Sequence, residues 1–324
     1  MTTTLRSSLL LSGGLLLTAC GPLPGQEFAA GLPTEETVRM AAPEGGTARQ
    51  GLGAGATSDH YRLTRGVAVS VNGGTAAVLR LVRDITRHRP TTLGEDAAVW
   101  GPHTPALSPV TWRLSVKRQA DGTYAYALAG REKAATAEGA FVTVLSGTHA
   151  PARDAAGEPL EGFGSGSFTV DWEARRALPE AKADEMGQGL FTYARPDGAG
   201  PVTVGVDFRQ VRDAESGVRV DARYAFRAEP GAGGRLDFLV LKDQVAGARL
   251  ERLAVRSRWA ESGVGRSDVR LSGGDLPGEA TVNECWDAAF LSRYARVSWA
   301  PADPQLNYGQ ASDCSPQGAE YSTE

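Results

Sequence analysis

From Val110 onward apolar and polar residues exchange places at every second position, and that period fits one kind of backbone. Val110, Trp112, Leu114 and Val116 alternate with Thr111, Arg113, Ser115 and Lys117, and Asp121-Gly122 then offers a hairpin turn into residues 123–128. Successive side chains of a strand point to opposite faces, so each run has one side to bury and one to leave in water. The pattern returns at Phe168, Val170 and Trp172; at Val202, Val204, Val206 and Phe208; at Val218, Val220, Ala222, Tyr224 and Phe226; and at Leu253, Val255 and Trp259. Turns rich in Gly, Asp, Glu and Pro at 196–200, 215–217, 230–234 and 261–263 separate the runs, as the short connections of a meander require. The expectation is a mainly β (α+β) fold, a long antiparallel meander of roughly ten strands. A sheet of that length curls or closes to dispose of its edges, so a curved sheet or barrel is expected.

Its apolar face needs a cover, and only residues 58–89 have a helical period. Ser58 and Asp59 are candidate caps, Val78, Leu81, Val82 and Ile85 recur at i, i+3, i+4 and i+7, and Pro90 follows. Asn72-Gly73-Gly74 interrupts the run. Each glycine costs about 1 kcal/mol relative to Ala in a helix interior, so the expectation is two helices joined at 72–74. Such a turn could present N–H groups to a phosphate, but it lacks the Gly-Lys-Ser/Thr run of a P-loop.

The N-terminus carries a different signal. Met1 and Arg6 precede an apolar stretch through Leu9, Leu10, Leu11, Leu15 and Leu16, which closes on Leu17-Thr18-Ala19-Cys20. The stretch is too short for a permanent bilayer span and ends in small residues, as a cleaved export signal does. These residues resemble the lipobox of bacterial lipoproteins. The resemblance implies removal of residues 1–19, acylation of Cys20 with palmitate-type chains, and attachment of the chain to the cell envelope. Gly21 stands where an inner-membrane retention signal would place Asp, which by the same resemblance favours the outer membrane. Several acyl chains together anchor stably where one holds only marginally. Residues 21–57, dense in Gly, Pro, Ala and Glu, read as a flexible tether, with Thr37 to Ala41 as at most a short edge strand. The expected organisation is therefore a signal peptide at 1–19, a lipidated cysteine and tether at 20–57, and one β-rich domain at 58–324 with N-terminal helices and a disulfide-bonded C-terminal segment.

With Cys20 taken by lipid, Cys285 and Cys314 remain of the three cysteines. In an oxidising compartment they are expected to form a disulfide. The stretch Glu284, Cys285, Trp286, Asp287, Phe290 and Tyr294, the second cysteine, Asn72-Gly73-Gly74 and Trp100-Gly101-Pro102 resemble uncharacterised lipoproteins of myxobacterial type. That resemblance implies no activity. The imagined half-barrel around helices is also similar to lipoprotein carriers with an acyl-chain cavity, at the level of architecture alone.

Charge and side-chain chemistry exclude more than they assign. A formal charge of −4 with dispersed arginines lacks the footprint of a nucleic-acid binder. His60, His88, His103 and His149 are widely spaced, with no HExxH motif. Gly51, Gly53 and Gly55 miss a dinucleotide fingerprint. GFGSGS at 162–167 lacks the GxSxG spacing of a nucleophile elbow, so a hydrolase would need His149, Ser165 and an acid to converge. Asp171, Glu173, Asp207 and Asp221 lie opposite the apolar stripe, unsuited to acid catalysis. No catalytic, metal or cofactor site is expected, and the chain reads as a non-enzymatic envelope protein. A hydrophobic small molecule held in a cavity of the sheet is the expected ligand, and its candidate lining residues are Trp112, Phe168, Trp172, Phe208, Tyr224, Phe226 and Trp259, on the stripe side. The alternative is a filled core, with the charged face or loops serving an envelope protein partner, because both have the same binary pattern.

Overall fold

A computed structural model describes residues 25–43, 53–182, 185–213, 216–245, 247 and 249–317. Cys20 and the signal segment lie outside the described residues. Fourteen strands follow one another: β1 Thr92–Leu93, β2 Ala97–His103, β3 Val110–Arg118, β4 Tyr124–Glu132, β5 Val142–Arg153, β6 Pro159–Asp171 and β7 Gln188–Arg195. The second half continues with β8 Val202–Arg212, β9 Arg219–Glu229, β10 Gly233–Lys242, β11 Glu251–Ala260, β12 Gly265–Ser272, β13 Glu279–Trp286 and β14 Ser292–Val297. Each pairs antiparallel with its sequence neighbour, in one sheet whose order is the sequence order. The ladder stays open between β1 and β14, so the curved-sheet alternative holds and the barrel does not.

Register explains the core. Tyr126, Gly147, Phe168, Phe191, Val206, Tyr224, Phe238, Val255 and Val269 are successive partners from β4 to β12. Opposed residues share a face, so one row of rings and branched side chains crosses nine strands. Gly147 is its gap, because a Cβ there would stand 2.6 Å from that of Phe168.

Three short or long helices complete the fold: α1 Gln26–Ala30, α2 Asp59–Thr86 and α3 Trp172–Arg175. The two helices expected at 58–89 are a single one, unbroken across Asn72-Gly73-Gly74. Gly73 and Gly74 face open space on its exposed side, so together they cost about 2 kcal/mol of propensity. Against that, Tyr61, Ala68, Val71, Leu79 and Val82 are buried, each worth about 1.5–3 kcal/mol for a large side chain. Burial wins, and the phosphate-cradle reading of 72–74 falls with the turn.

Both ends of α2 are fastened to the sheet. At its start Ser58 accepts the Tyr61 N–H at 3.0 Å, Glu284 of β13 accepts the His60 N–H at 2.9 Å, and Tyr61 stacks on Phe290. Thr64 and Ser257 of β11 join hydroxyls at 2.6 Å, and Ser257 donates to Ser267 of β12 at 3.1 Å. Past its other end, Trp100 of β2 donates its indole N–H to the His88 carbonyl at 2.8 Å. One helix thus reaches strands near both edges, and the open sheet curls around it.

Residues 25–43, expected to be tether, belong to the folded body. Phe28, Leu32, Val38 and Met40 are buried in the same core as α2 and the sheet. Phe28 meets Tyr124 edge to face, and Glu36 pairs with Arg195 at 2.9 Å. Asn72 clamps this arm from α2, accepting the Met40 N–H and donating to its carbonyl, both at 2.9 Å. No strand forms at 37–41. Average composition of a Gly/Pro-rich window hides four apolar side chains that each find a slot, which is why the domain begins by residue 25 rather than 58. At the far end Cys285 and Cys314 form the expected disulfide, Cα to Cα 5.5 Å, fastening the C-terminal segment to β13.

Candidate ligand cleft

The arm creates the molecule's candidate site. Two adjoining hollows of about 480 and 380 Å³ lie between the arm, the second half of α2 and the start of β6, and share Ala29, Leu32, Thr34, Arg83, Thr86, Glu161 and Gly162. Leu32, Leu79, Val82, Leu160 and Phe163 give apolar walls. Polar groups sit among them: Thr34, whose hydroxyl contacts that of Thr37 at 3.0 Å, and Arg83, paired with Glu35 at 3.6 Å. His149 reaches the second hollow from β5. Size and lining suit a small ligand with an apolar body and a polar end.

His149 stands in β5, 2 % exposed. Its Nδ1 lies 3.0 Å from the Tyr193 hydroxyl. Burial lowers the imidazole pKa from 6.5 to about 4, against an opposing hydrogen bond with the Ser165 backbone. The ring is therefore neutral at pH 7. Burial also pushes the Tyr193 and Tyr126 phenols up, so all three groups are neutral at pH 7. The Tyr126 hydroxyl, within the electrostatic reach of Tyr193, makes no hydrogen bond of good geometry among the described residues.

The glycines of GFGSGS make this arrangement fit. A Cβ on Gly164 would stand 2.4 Å from His149 Cε1, and one on Gly166 would stand 2.7 Å from the Tyr193 hydroxyl. Gly166 pairs with His149, whereas Ser165 pairs with Ala150 and is exposed on the opposite face. The His149–Ser165 hydrolase geometry is thereby contradicted. Alternate glycines facing a histidine across a hairpin were the sequence signal for a buried imidazole here.

None of the seven residues expected to line a cavity lines this cleft. Phe168, Phe226 and Trp259 are buried, and Trp112, Trp172, Phe208 and Tyr224 are half-buried against the same core. Phe168 stacks on Phe191 at 4.7 Å, Phe191 meets Phe208 edge to face at 5.8 Å, Phe208 meets Tyr224 at 5.7 Å, and Tyr224 stacks on Phe238 at 5.6 Å. Trp172 leans on Phe208, Phe226 on Trp259, and Trp112 faces Arg175. These rings fill the curl of the sheet, which the binary pattern could not distinguish from lining it.

The four weighed carboxylates do structural work. Asp171 caps α3 through the Ala174 N–H, Asp207 pairs with Arg223 at 2.7 Å, and Asp221 accepts the Gln210 N–H. A hydrogen bond from Arg219 holds the Glu173 carboxyl below the usual range. Among the described residues no three His, Cys, Asp or Glu side chains gather as a metal site. No helix there is long and apolar enough to cross a membrane.

What fold and site define together is an open antiparallel meander curled on one helix, with a mixed polar and apolar cleft under an N-terminal arm. No protein family, curated protein or solved structure matches the chain.

Proposed function

We propose that this is a lipid-anchored, non-catalytic protein of the bacterial cell envelope that holds a small amphiphile in the cleft between arm, α2 and β6. The observation that carries the reading is the lining of that cleft: apolar walls from Leu32, Leu79 and Val82, with Thr34, Arg83, Thr86 and Glu161 placed to meet a polar end. The Leu17–Cys20 lipobox supports the anchor, and Gly21 the outer membrane. The neutral state of His149 supports binding rather than proton transfer.

Native mass spectrometry of residues 21–324, which include every described residue, tests the ligand when the protein is purified from the periplasm without detergent. The expected result is extra mass that leaves on denaturation and is missing from Thr86→Trp, which fills the cleft. A bare protein mass would reject the ligand and favour the second reading, a scaffold that binds an envelope protein, which the filled ring stack from Phe168 to Phe238 supports. For the anchor, Cys20→Ala is expected to move the protein out of the membrane fraction; retention there would overturn it.

A further inference from the structure

On the face of the sheet opposite the core, four arginines stand directly across from one another on four consecutive strands. Arg227 of β9 is the partner of Arg235 on β10, Arg235 of Arg258 on β11, and Arg258 of Arg266 on β12. Like charges directly opposed repel and weaken a ladder, so this row calls for neutralisation. Three of its members have it within the chain. Arg227 pairs with Glu229 at 2.8 Å, Arg258 with Asp237 at 2.5 Å, and buried Arg266 with Asp268 at 3.0 Å. Arg235, in the middle and exposed, has no hydrogen-bond or ion-pair partner among the described residues.

The row is also hollowed. Arg227, Arg235 and Arg258 line a recess of about 350 Å³ together with Glu229, Gly233, Gly234 and Trp259, and Ser315 and Pro316 of the C-terminal segment form part of its wall. That wall is held in place by the disulfide one residue earlier. A Cβ at Gly233 would stand 2.1 Å from the Trp259 carbonyl oxygen, and its φ of 113° disfavours any other residue. The β9–β10 turn is thus pinned against β11 at the rim of the recess. Guanidinium forks match oxyanions with two or more charged oxygens, and they do so better than ammonium groups.

We propose that this recess binds a phosphate-type oxyanion, with Arg235 as its principal donor and Arg227 and Arg258 flanking it. The anion supplies the counter-charge that Arg235 lacks among the described residues and relieves the repulsion along the row. A soluble phosphate compound and the phosphate of an anionic lipid headgroup share this chemistry. The site is independent of the cleft beside His149.

Residues 21–324 and the Arg235→Gln variant are compared for binding of pyrophosphate by calorimetry and for co-sedimentation with phosphatidylcholine vesicles with and without phosphatidylglycerol, all at physiological salt. The wild type is expected to bind one or both probes saturably, and Arg235→Gln to lose at least tenfold in affinity with an unchanged or raised urea midpoint. Arg153→Gln, on the β5–β6 hairpin, is expected to bind as the wild type does. Pyrophosphate binding alone assigns a soluble ligand, and phosphatidylglycerol-dependent sedimentation assigns a headgroup. Absence of saturable binding to both probes, or wild-type affinity in Arg235→Gln, would overturn the site.

Discussion

The carboxylate of Glu284 on β13 accepts the backbone N–H of His60, 224 residues away in the chain, at 2.9 Å. It caps the first turn of α2 from outside the helix, alongside Ser58, which caps it from within. Helix N-termini leave N–H groups without partners and carry partial positive charge, so a buried anion there both satisfies a donor and fixes the helix on the sheet. Glu284→Ala is expected to cost about 1.5–3 kcal/mol in urea unfolding at pH 7, the range for a hydrogen bond to a charged group. Glu284→Gln, which keeps an acceptor, is expected to lose about 1 kcal/mol. Equal losses for the two variants would mean that the carboxylate charge plays no part.

The single helix through residues 72–74 makes an unusual pair of expectations. Gly73→Ala and Gly74→Ala should each stabilise the protein by about 1 kcal/mol, since both face open space in helical backbone. Asn72→Ala also improves helix propensity, by about 0.6 kcal/mol, yet it removes both bonds to Met40. Those are worth about 1 kcal/mol each, so a net loss of about 1.4 kcal/mol is expected. Thermal melts check the signs; destabilisation by both glycine substitutions would put a turn at this position.

Removal of the Phe28 ring separates an arm from a tether. Its ring is 1 % exposed, edge-on to Tyr124, and Gly31 lies so close to the same tyrosine that an added Cβ would stand 2.4 Å from its ring. Phe28→Ala is expected to cost about 3–4 kcal/mol and to speed amide exchange over residues 26–42. Stability within about 0.5 kcal/mol of wild type, the usual range of surface substitutions, together with unchanged exchange would return this segment to the tether.

Much of this architecture was legible where the physics is local. Period two at Val110–Val116 and its recurrences fixes strands, short turns fix neighbours, and neighbours in an antiparallel meander fix the sheet order. The Cys285–Cys314 bond was expected from a proposed export signal and from assigning Cys20 to lipid, which leaves two thiols to pair. What stayed hidden depends on contacts distant in sequence. Gly73 and Gly74 look like a break until the five apolar side chains buried on the other side of α2 are counted. Phe28, Val38 and Met40 look like isolated apolar residues in a polar linker until Tyr124 and Asn72 are seen beneath them. The cleft inherits both errors, since its walls are the supposed tether and the supposed second helix. The ring residues from Trp112 to Trp259 were placed on the correct face, yet a face has no depth in one dimension, and filling cannot be told from lining.

His149 gives the fold a pH dependence whose sign follows from its burial. Its pKa is lowered from 6.5 to about 4 because the charged ring would lose its hydration. Between those values the unfolded chain binds a proton that the folded one refuses, so stability rises with pH across this window. The contribution is complete above pH 6.5 and disappears as pH falls to about 4. A displacement of this size is worth on the order of 3 kcal/mol. His149→Gln cannot titrate and keeps a group able to meet the Tyr193 hydroxyl, so its urea midpoint should fall less steeply than that of wild type between pH 6.5 and 4. Parallel pH profiles for the two proteins would show that the imidazole is protonated at no extra cost inside the fold, and that the cleft beside it is wetter than its walls indicate.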